Sequence, residues 1–384
     1  MKLFYVANAR IPTEKAHGIA IMKACQAFVR AGVELTLVIP ERDNPNPADP
    51  HEFYAIPERF PILRLPTFDL MRSSWVPQRV SYVLQTWAFN RSLRAWARSQ
   101  DKNAVIYTRE VSALALCKMG FRTVLECHMI SGSRRRYFQR ARRANVIITV
   151  SHTIEKLFLE VGFSSKQLLV CPNAADLAVF DTALSKQDAR REVDLPQDAF
   201  ITVYTGNFTT MGEDKGIADS IRALKHAEDI FFVGVGGSEK DIVRYEMQAK
   251  EAGVGERVIL RGHVQQSKLA VYQKAADVLL MPFPDTPYYR TQMSPIKMFE
   301  YMLSGRPIIA SDLPTIREVL DPTVARIVAP DSPELLAEAI ESLRRDPASG
   351  ARLAEAAHKK AAGSYTWDMR ALSILSFIKT TVVS

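Results

Sequence analysis

Ser294-Pro295-Ile296-Lys297-Met298-Phe299-Glu300-Tyr301-Met302-Leu303-Ser304-Gly305-Arg306-Pro307-Ile308-Ile309-Ala310-Ser311-Asp312 reads as a loop, a helix, a glycine stop and a buried strand. Ser294 is a helix-capping residue type, and Pro295 fits the first helical position. Gly305 suits the left-handed residue beyond the last turn. Pro307-Ile308-Ile309-Ala310 is a short apolar strand. Glu300 falls about one turn inside the helix, where burying a lone carboxylate is costly. Its partner is either a cation in a salt bridge or a ligand such as a sugar with two adjacent hydroxyls. The segment alone leaves both open.

The same alternation of short apolar runs and amphipathic stretches extends in both directions and predicts an α/β fold with parallel sheets and helical crossovers. Strands are expected at 3–7, 34–39, 104–108, 123–126 and 145–150, and again at 201–205, 230–235, 258–261, 278–282 and 307–310. Five strands per half are enough for one doubly wound domain each. The break falls between Cys171-Pro172-Asn173 and Pro196-Gln197-Asp198, a polar stretch that reads as unstructured at its start. Two such domains face each other across a cleft, with ligands at the carboxyl ends of the strands. Trp367, in Tyr365-Thr366-Trp367-Asp368-Met369, is expected to be buried at a joint.

A length of 384 residues allows two or three domains with real cores. No run of apolar residues is long enough to cross a bilayer. The amino terminus enters a strand directly and lacks the apolar core and cleavage site of a signal peptide. Cys25, Cys117, Cys127 and Cys171 have no metal-ligand spacing and suit a reduced, cytoplasmic protein. A net charge of +8 favours an anionic partner: phosphates, nucleic acid or an anionic membrane.

Phosphate chemistry is suggested where strands end. Tyr204-Thr205-Gly206-Asn207 closes one strand, and Glu213-Asp214-Lys215-Gly216-Ile217 then opens a helix. A helix start offers free N–H groups and a positive dipole end, and Lys215 placed there implies an anion sharing the site. The plain alternative is an exposed lysine beside Asp214. Val233-Gly234-Val235-Gly236-Gly237-Ser238 brings backbone close to a ligand or to a neighbouring helix.

Taken in order, these segments carry a resemblance. Strand-Gly then Lys-Gly, Val-Gly-x-Gly, Arg261-Gly262-His263-Val264, Tyr272-x-x-x-Ala276-Asp277-Val-x-Leu-x-Pro282 and the stretch from Ser294 to Gly305 together resemble the family-4 retaining glycosyltransferases of the GT-B fold. The resemblance is strong over 200–370. It continues more weakly through 1–180, in Ala16-His17-Gly18, Glu126-Cys127-His128 and Val170-Cys171-Pro172-Asn173-Ala174. It implies an acceptor-binding Rossmann-like domain over 1–178, a nucleotide-sugar domain over 196–365, and a final helix, 366–384, that packs back on the first. It also implies roles. Glu300 holds the ribose hydroxyls through its two oxygens, and Lys215 neutralises the departing diphosphate. Gly262, His263 and Val264 run along the nucleobase, and Gly18 lets a loop approach the donor. His128 contacts the donor sugar. The backbone from Gln292 through Met293, Ser294, Pro295 and Ile296 faces the phosphates, with Gly206 at the strand end.

Two positions depart from the family pattern. Asn207 stands where an arginine usually partners the diphosphate lysine, and Gln292 where a second glutamate usually contacts the donor sugar. Lys297 or Arg290 is expected to supply the missing cation. Gln292 can hydrogen-bond a hydroxyl but cannot serve as base or nucleophile. The implied reaction is transfer with retention by a front-face route, with the departing phosphate deprotonating the acceptor. No Asp-x-Asp occurs, so a metal-independent reaction with a GDP- or UDP-linked hexose is expected, without a cofactor.

On the acceptor side, Arg134, Arg135, Arg136, Arg140, Arg142 and Arg143 form an acid-free run. It is either a solvated helix face or a patch for an anionic acceptor or lipid headgroups. Trp75, Tyr82, Trp87, Phe89 and Trp96 interleave with Arg72, Arg79, Arg91, Arg94 and Arg98. They belong either to a core-facing helix or to a membrane–water interface. A glycan or lipid-linked acceptor in surface polysaccharide or glycolipid synthesis, reached from the cytoplasmic face of the membrane, accounts for both regions. Nucleic acid is disfavoured, since no binding motif appears. Two other readings stay open: a catalytically silent GT-B partner subunit or nucleotide-sugar sensor, and a nucleotide-sugar 2-epimerase.

Overall fold

The computed structural model describes residues 1–68, 75–210 and 212–383. The chain forms two compact units: Met1–Pro172 together with Trp367–Ser384, and Asn173–Thr366. Arg72 lies outside the described residues.

The first unit is built on β1 (Lys2–Val6), β2 (Glu34–Pro40), β3 (Ile62–Leu65), β4 (Val105–Thr108), β5 (Arg122–Cys127), β6 (Val146–Thr149) and β7 (Leu168–Val170). They form one parallel sheet in the order β3-β2-β1-β4-β5-β6-β7. This is a doubly wound sheet, and the order reverses between β1 and β4, where such folds open a crevice at the carboxyl ends. Strands with helices on both faces must be apolar throughout, and β4 and β6 are buried at every position. The carboxyl-terminal Trp367–Ile378 helix packs on the Ala16–Arg30 helix and buries Ile374 and Ile378 completely.

The second unit contains β8 (Phe200–Thr205), a small antiparallel pair β9 (Thr209–Thr210) and β10 (Glu213–Asp214), then β11 (Ile230–Val235), β12 (Val258–Arg261), β13 (Val278–Met281), β14 (Ile308–Ser311) and β15 (Arg326–Val328). Its parallel sheet runs β12-β11-β8-β13-β14-β15. The stretch expected to hold the break between the domains is instead part of this unit. Arg190, almost fully buried on the Lys186–Glu192 helix, donates to Asp277 Oδ2 at 2.6 Å and to the carbonyls of Ala275, Gln197 and Ala199. Asp277 also accepts from Lys186 and from the Ile201 N–H, so the stretch is fastened to the start of β8.

The Ile296–Leu303 helix begins with Pro295 in its cap position, and Gly305 follows its end at φ 69°. Ser294 does not cap it. Its hydroxyl accepts from the Asn173 N–H at 3.0 Å, and its carbonyl accepts from Asn173 Nδ2 at 2.6 Å. The serine is spent on tying the loop before this helix to Asn173, the first residue of the unit.

Candidate functional site

In the second unit, the carboxyl ends of β8, β11 and β13 are shaped by glycines. Gly206 has φ +107°, and a Cβ there would stand 3.2 Å from Lys297 Nζ. Gly236 lies against Gly206, since a Cβ on it would meet the Gly206 carbonyl at 2.8 Å. Gly216 abuts the Pro282 carbonyl, which a Cβ would reach at 1.9 Å. These close approaches, together with positive φ at all three, admit only glycine.

Lys297 enters this floor from the Ile296–Leu303 helix. Its ammonium stands 3.3 Å from the centre of the Tyr204 ring and 5.6 Å from that of Phe283. It is buried and has no hydrogen-bond partner among the described residues. Burial, reinforced by repulsion from Lys215 and only partly opposed by Glu300, pushes it well below the ordinary lysine range. Lys215 is half-buried, forms no ion pair among the described residues, and is lowered by burial to about 8. Ring faces soften the cost of an ammonium but do not satisfy its three donors.

Glu300 follows on the same helix at 6% exposure. Burial pushes its carboxyl up to about 7, against the pull of Lys297 and of hydrogen bonds from Gln273 and Gln266. The Gln273 bond is long, at 3.5 Å, because the same amide also serves Thr205 Oγ1 at 3.1 Å. Glu300 therefore retains acceptor capacity. Beside it, Tyr301 accepts from the Thr205 N–H at 2.7 Å and fixes the helix to the end of β8.

Three expectations are revised here. The first-turn N–H groups of the Ile217–Ala223 helix are not free: Asp214 accepts from Ile217 and Ala218 at 3.0 and 3.1 Å. Arg290 is not a spare cation, because it forms a two-pronged pair with Asp285 at 2.6 and 2.8 Å. Ser294 is engaged with Asn173, as described above. Asn207 is exposed, and its carbonyl accepts from Tyr204. Gly262 and His263 are exposed after β12, with Val264 half-buried. Gln292 ends the Pro287–Thr291 helix, and Met293 is buried behind it.

The first unit holds a second cluster, which sequence reading did not find. Glu126, fully buried on β5, accepts from His128 Nε2 at 2.5 Å, Arg370 at 2.8 Å, Arg109 at 3.1 Å, Tyr107 at 2.7 Å and Tyr5 at 3.3 Å. Although burial opposes it, the two guanidiniums hold this carboxyl well below the usual range. Burial and Arg109 lower His128 to about 4. The ring is thus neutral, and Glu126 fixes Nε2 as the protonated nitrogen. Gly18 is also packed rather than open: a Cβ would lie 2.3 Å from the Tyr54 hydroxyl, which is tied to the Thr13 backbone. The run Arg134, Arg135, Arg136 and Arg140 is exposed, with Arg134 paired to Glu160. Among the described residues no group of three or more His, Cys, Asp and Glu side chains is placed to hold a metal ion.

Comparison with known proteins bears on both units. Residues 18–179 match the Glycosyltransferase Family 4 model, and residues 199–346 match Glycosyl transferases group 1. A D-inositol 3-phosphate glycosyltransferase of Xylanimonas cellulosilytica is 25% identical over 240 residues, 60% of this chain and 55% of its own. A putative teichuronic acid biosynthesis glycosyltransferase, TuaC of Bacillus subtilis, is 24% identical over 56% of this chain and 50% of its own. The chain thus spans about half the length of the curated relatives it matches. Among solved structures, sucrose-phosphate synthase of Thermosynechococcus elongatus superposes with a TM-score of 0.78 at 20% identity, covering 98% of each chain. The HepE protein of Anabaena in complex with UDP-glucose gives 0.76 at 16% identity, over 99% of this chain and 100% of that one. Both likenesses carry the GT-B fold. With two family models matching its two units in order, the chain belongs to the group 1, family-4 glycosyltransferases.

Proposed function

We propose that this protein is a retaining glycosyltransferase that takes a hexose from a UDP- or GDP-linked donor and needs no metal. The observation that carries this reading is the pair of uncompensated lysines, Lys297 and Lys215, set beside an under-satisfied buried carboxylate, Glu300. A diphosphate brings the charge the two ammoniums lack, and a ribose brings the hydroxyl donors the carboxylate lacks. Lys297 stands in for the cation that Asn207 fails to supply.

In the reaction, the glycosidic bond to the diphosphate breaks as charge builds on the leaving oxygen. Lys215 and Lys297 stabilise that charge, and the oxygen takes the proton of the acceptor hydroxyl on the same face of the sugar. Gln292 orients a sugar hydroxyl without exchanging a proton. His128, held neutral by its surroundings, offers a ring nitrogen to a hydroxyl. The acceptor is a glycan or a lipid-linked sugar, a class supported by the teichuronic acid relative.

The test is a panel of UDP-, GDP-, ADP- and dTDP-sugars scored for thermal stabilisation and for slow release of free nucleotide. One nucleotide class should stabilise the protein, with release lost in Lys215→Ala and Glu300→Ala. Binding without release, even with lipid-linked acceptors present, would instead identify a catalytically silent nucleotide-sugar sensor. Isomerised free sugar from donor alone would identify a 2-epimerase.

A further inference from the structure

The outward face of the Gln78–Ala97 helix changes character halfway along its length. Val80, Val83, Leu84 and Trp87 recur at i, i+3, i+4 and i+7 and so share one side. They are 47%, 64%, 42% and 59% exposed. Arg91, Arg94 and Arg98 continue the same side and are exposed as well. The opposite side carries Gln85, Ala88, Phe89 and Leu93, all buried. Trp75, just before the helix, is 93% exposed, and Tyr82 flanks the stripe at 48%. No acidic residue occurs between Trp75 and Arg98.

We propose that this face docks the protein on an anionic lipid bilayer. Exposed aliphatic and aromatic side chains in one stripe are costly in water, and Trp and Tyr favour the level of the lipid headgroups. The arginines at the other end of the stripe are placed to meet lipid phosphates. A second copy of the chain is a poor occupant: a two-fold contact would bring two acid-free cationic faces together. Nucleic acid would leave Val80, Val83 and Leu84 without a role. The acid-free Arg134–Ala141 helix contacts the same Ala113–Met119 turn as the Gln78–Ala97 helix. No helix among the described residues is long and apolar enough to cross a membrane, so the docking is peripheral.

The test is co-sedimentation of the full chain with phosphatidylcholine vesicles, with and without phosphatidylglycerol. The wild type should pellet with the mixed vesicles, weakly with phosphatidylcholine alone, and less as salt is raised. Arg91→Glu/Arg94→Glu should lower partitioning by at least about five-fold per arginine. Val83→Glu/Trp87→Glu should abolish it, while nucleotide-induced thermal stabilisation stays unchanged in both. If a variant fails to fold, bromine-labelled acyl chains decide the matter: quenching of wild-type tryptophan emission supports the proposal and its absence overturns it. Equal pelleting of wild type and variants would overturn it, as would a loss confined to Arg135→Glu/Arg136→Glu. Failure to pellet with a concentration-dependent dimer in place of binding would also overturn it. Donor release needs no membrane, so failure here leaves the glycosyltransferase reading intact.

Discussion

The Lys297 ammonium stands 3.3 Å above the centre of the Tyr204 ring and makes no hydrogen bond among the described residues. A buried, unpaired charge destabilises the empty protein, and removing it in favour of an apolar side chain of similar length commonly stabilises. Lys297→Met should therefore raise the melting temperature of the ligand-free protein by about 2–4 °C, as about 1 kcal/mol does in a domain of this size. The same change should weaken nucleotide diphosphate binding at least about ten-fold, the equivalent of ~1.4 kcal/mol. A differential scanning measurement checks the first effect and a binding titration the second.

Lys215 makes the binding pH-dependent. Its pKa in the empty fold, about 8, lies below the ordinary lysine value, so the fold favours the neutral amine. Its contribution to stability is present above the unfolded value and is lost as pH falls through about 8. A bound diphosphate reverses that preference and draws a proton onto the amine. Nucleotide affinity should fall as pH rises above about 8, with protons taken up on binding. Calorimetry in buffers of different ionisation enthalpy measures this uptake, and identical heats in all buffers would contradict it.

Arg370 and Glu126 lie 244 residues apart in sequence yet meet at 2.8 Å with both side chains buried. Removing one partner of a buried pair leaves an uncompensated charge and costs about 3–5 kcal/mol. Arg370→Met should lower stability by that order in denaturant unfolding. The loss should be larger at pH 7 than near pH 3. The Glu126 carboxyl is held below its usual range, so the stability it contributes is lost as pH falls through its depressed pKa.

Gly216 combines φ +89° with a Cβ position 1.9 Å from the Pro282 carbonyl. Gly216→Ala should destabilise the second unit by roughly 3 kcal/mol or more through strain and overpacking together. Gly363→Ala, where a Cβ meets nothing within 4 Å in a helix, should be neutral or slightly stabilising. Melting curves of the two variants compare the effects directly.

The strand positions were largely legible because most strands of the two parallel sheets are continuous apolar runs, and all ten expected strands are present within about a residue or two. The missed ones in the two parallel sheets, β3, β7 and β15, are short outermost strands of three or four residues, and the two-residue pair β9 and β10 was missed as well. Ile62-Leu63-Arg64-Leu65 carries an arginine, as an edge strand can, so neither length nor pattern marked it. Glu300, Lys215 and Lys297 were singled out because local motifs carry them. The Glu126 cluster was missed because its partners Tyr5, Tyr107, Arg109 and Arg370 come from separate elements. Ser294 and Asp214 show a subtler limit. Both are capping residue types, and only the fold decides that Asp214 caps while Ser294 serves Asn173.

The central claim is that Lys297, Lys215 and Glu300 form a nucleotide diphosphate site. Calorimetric titration of UDP and GDP into wild type, Lys297→Met and Glu300→Gln tests it most directly. The account predicts saturable binding of one nucleotide by the wild type, strongly weakened in both variants, which remain folded. Binding of equal strength in all three proteins, or none by the wild type, would contradict it.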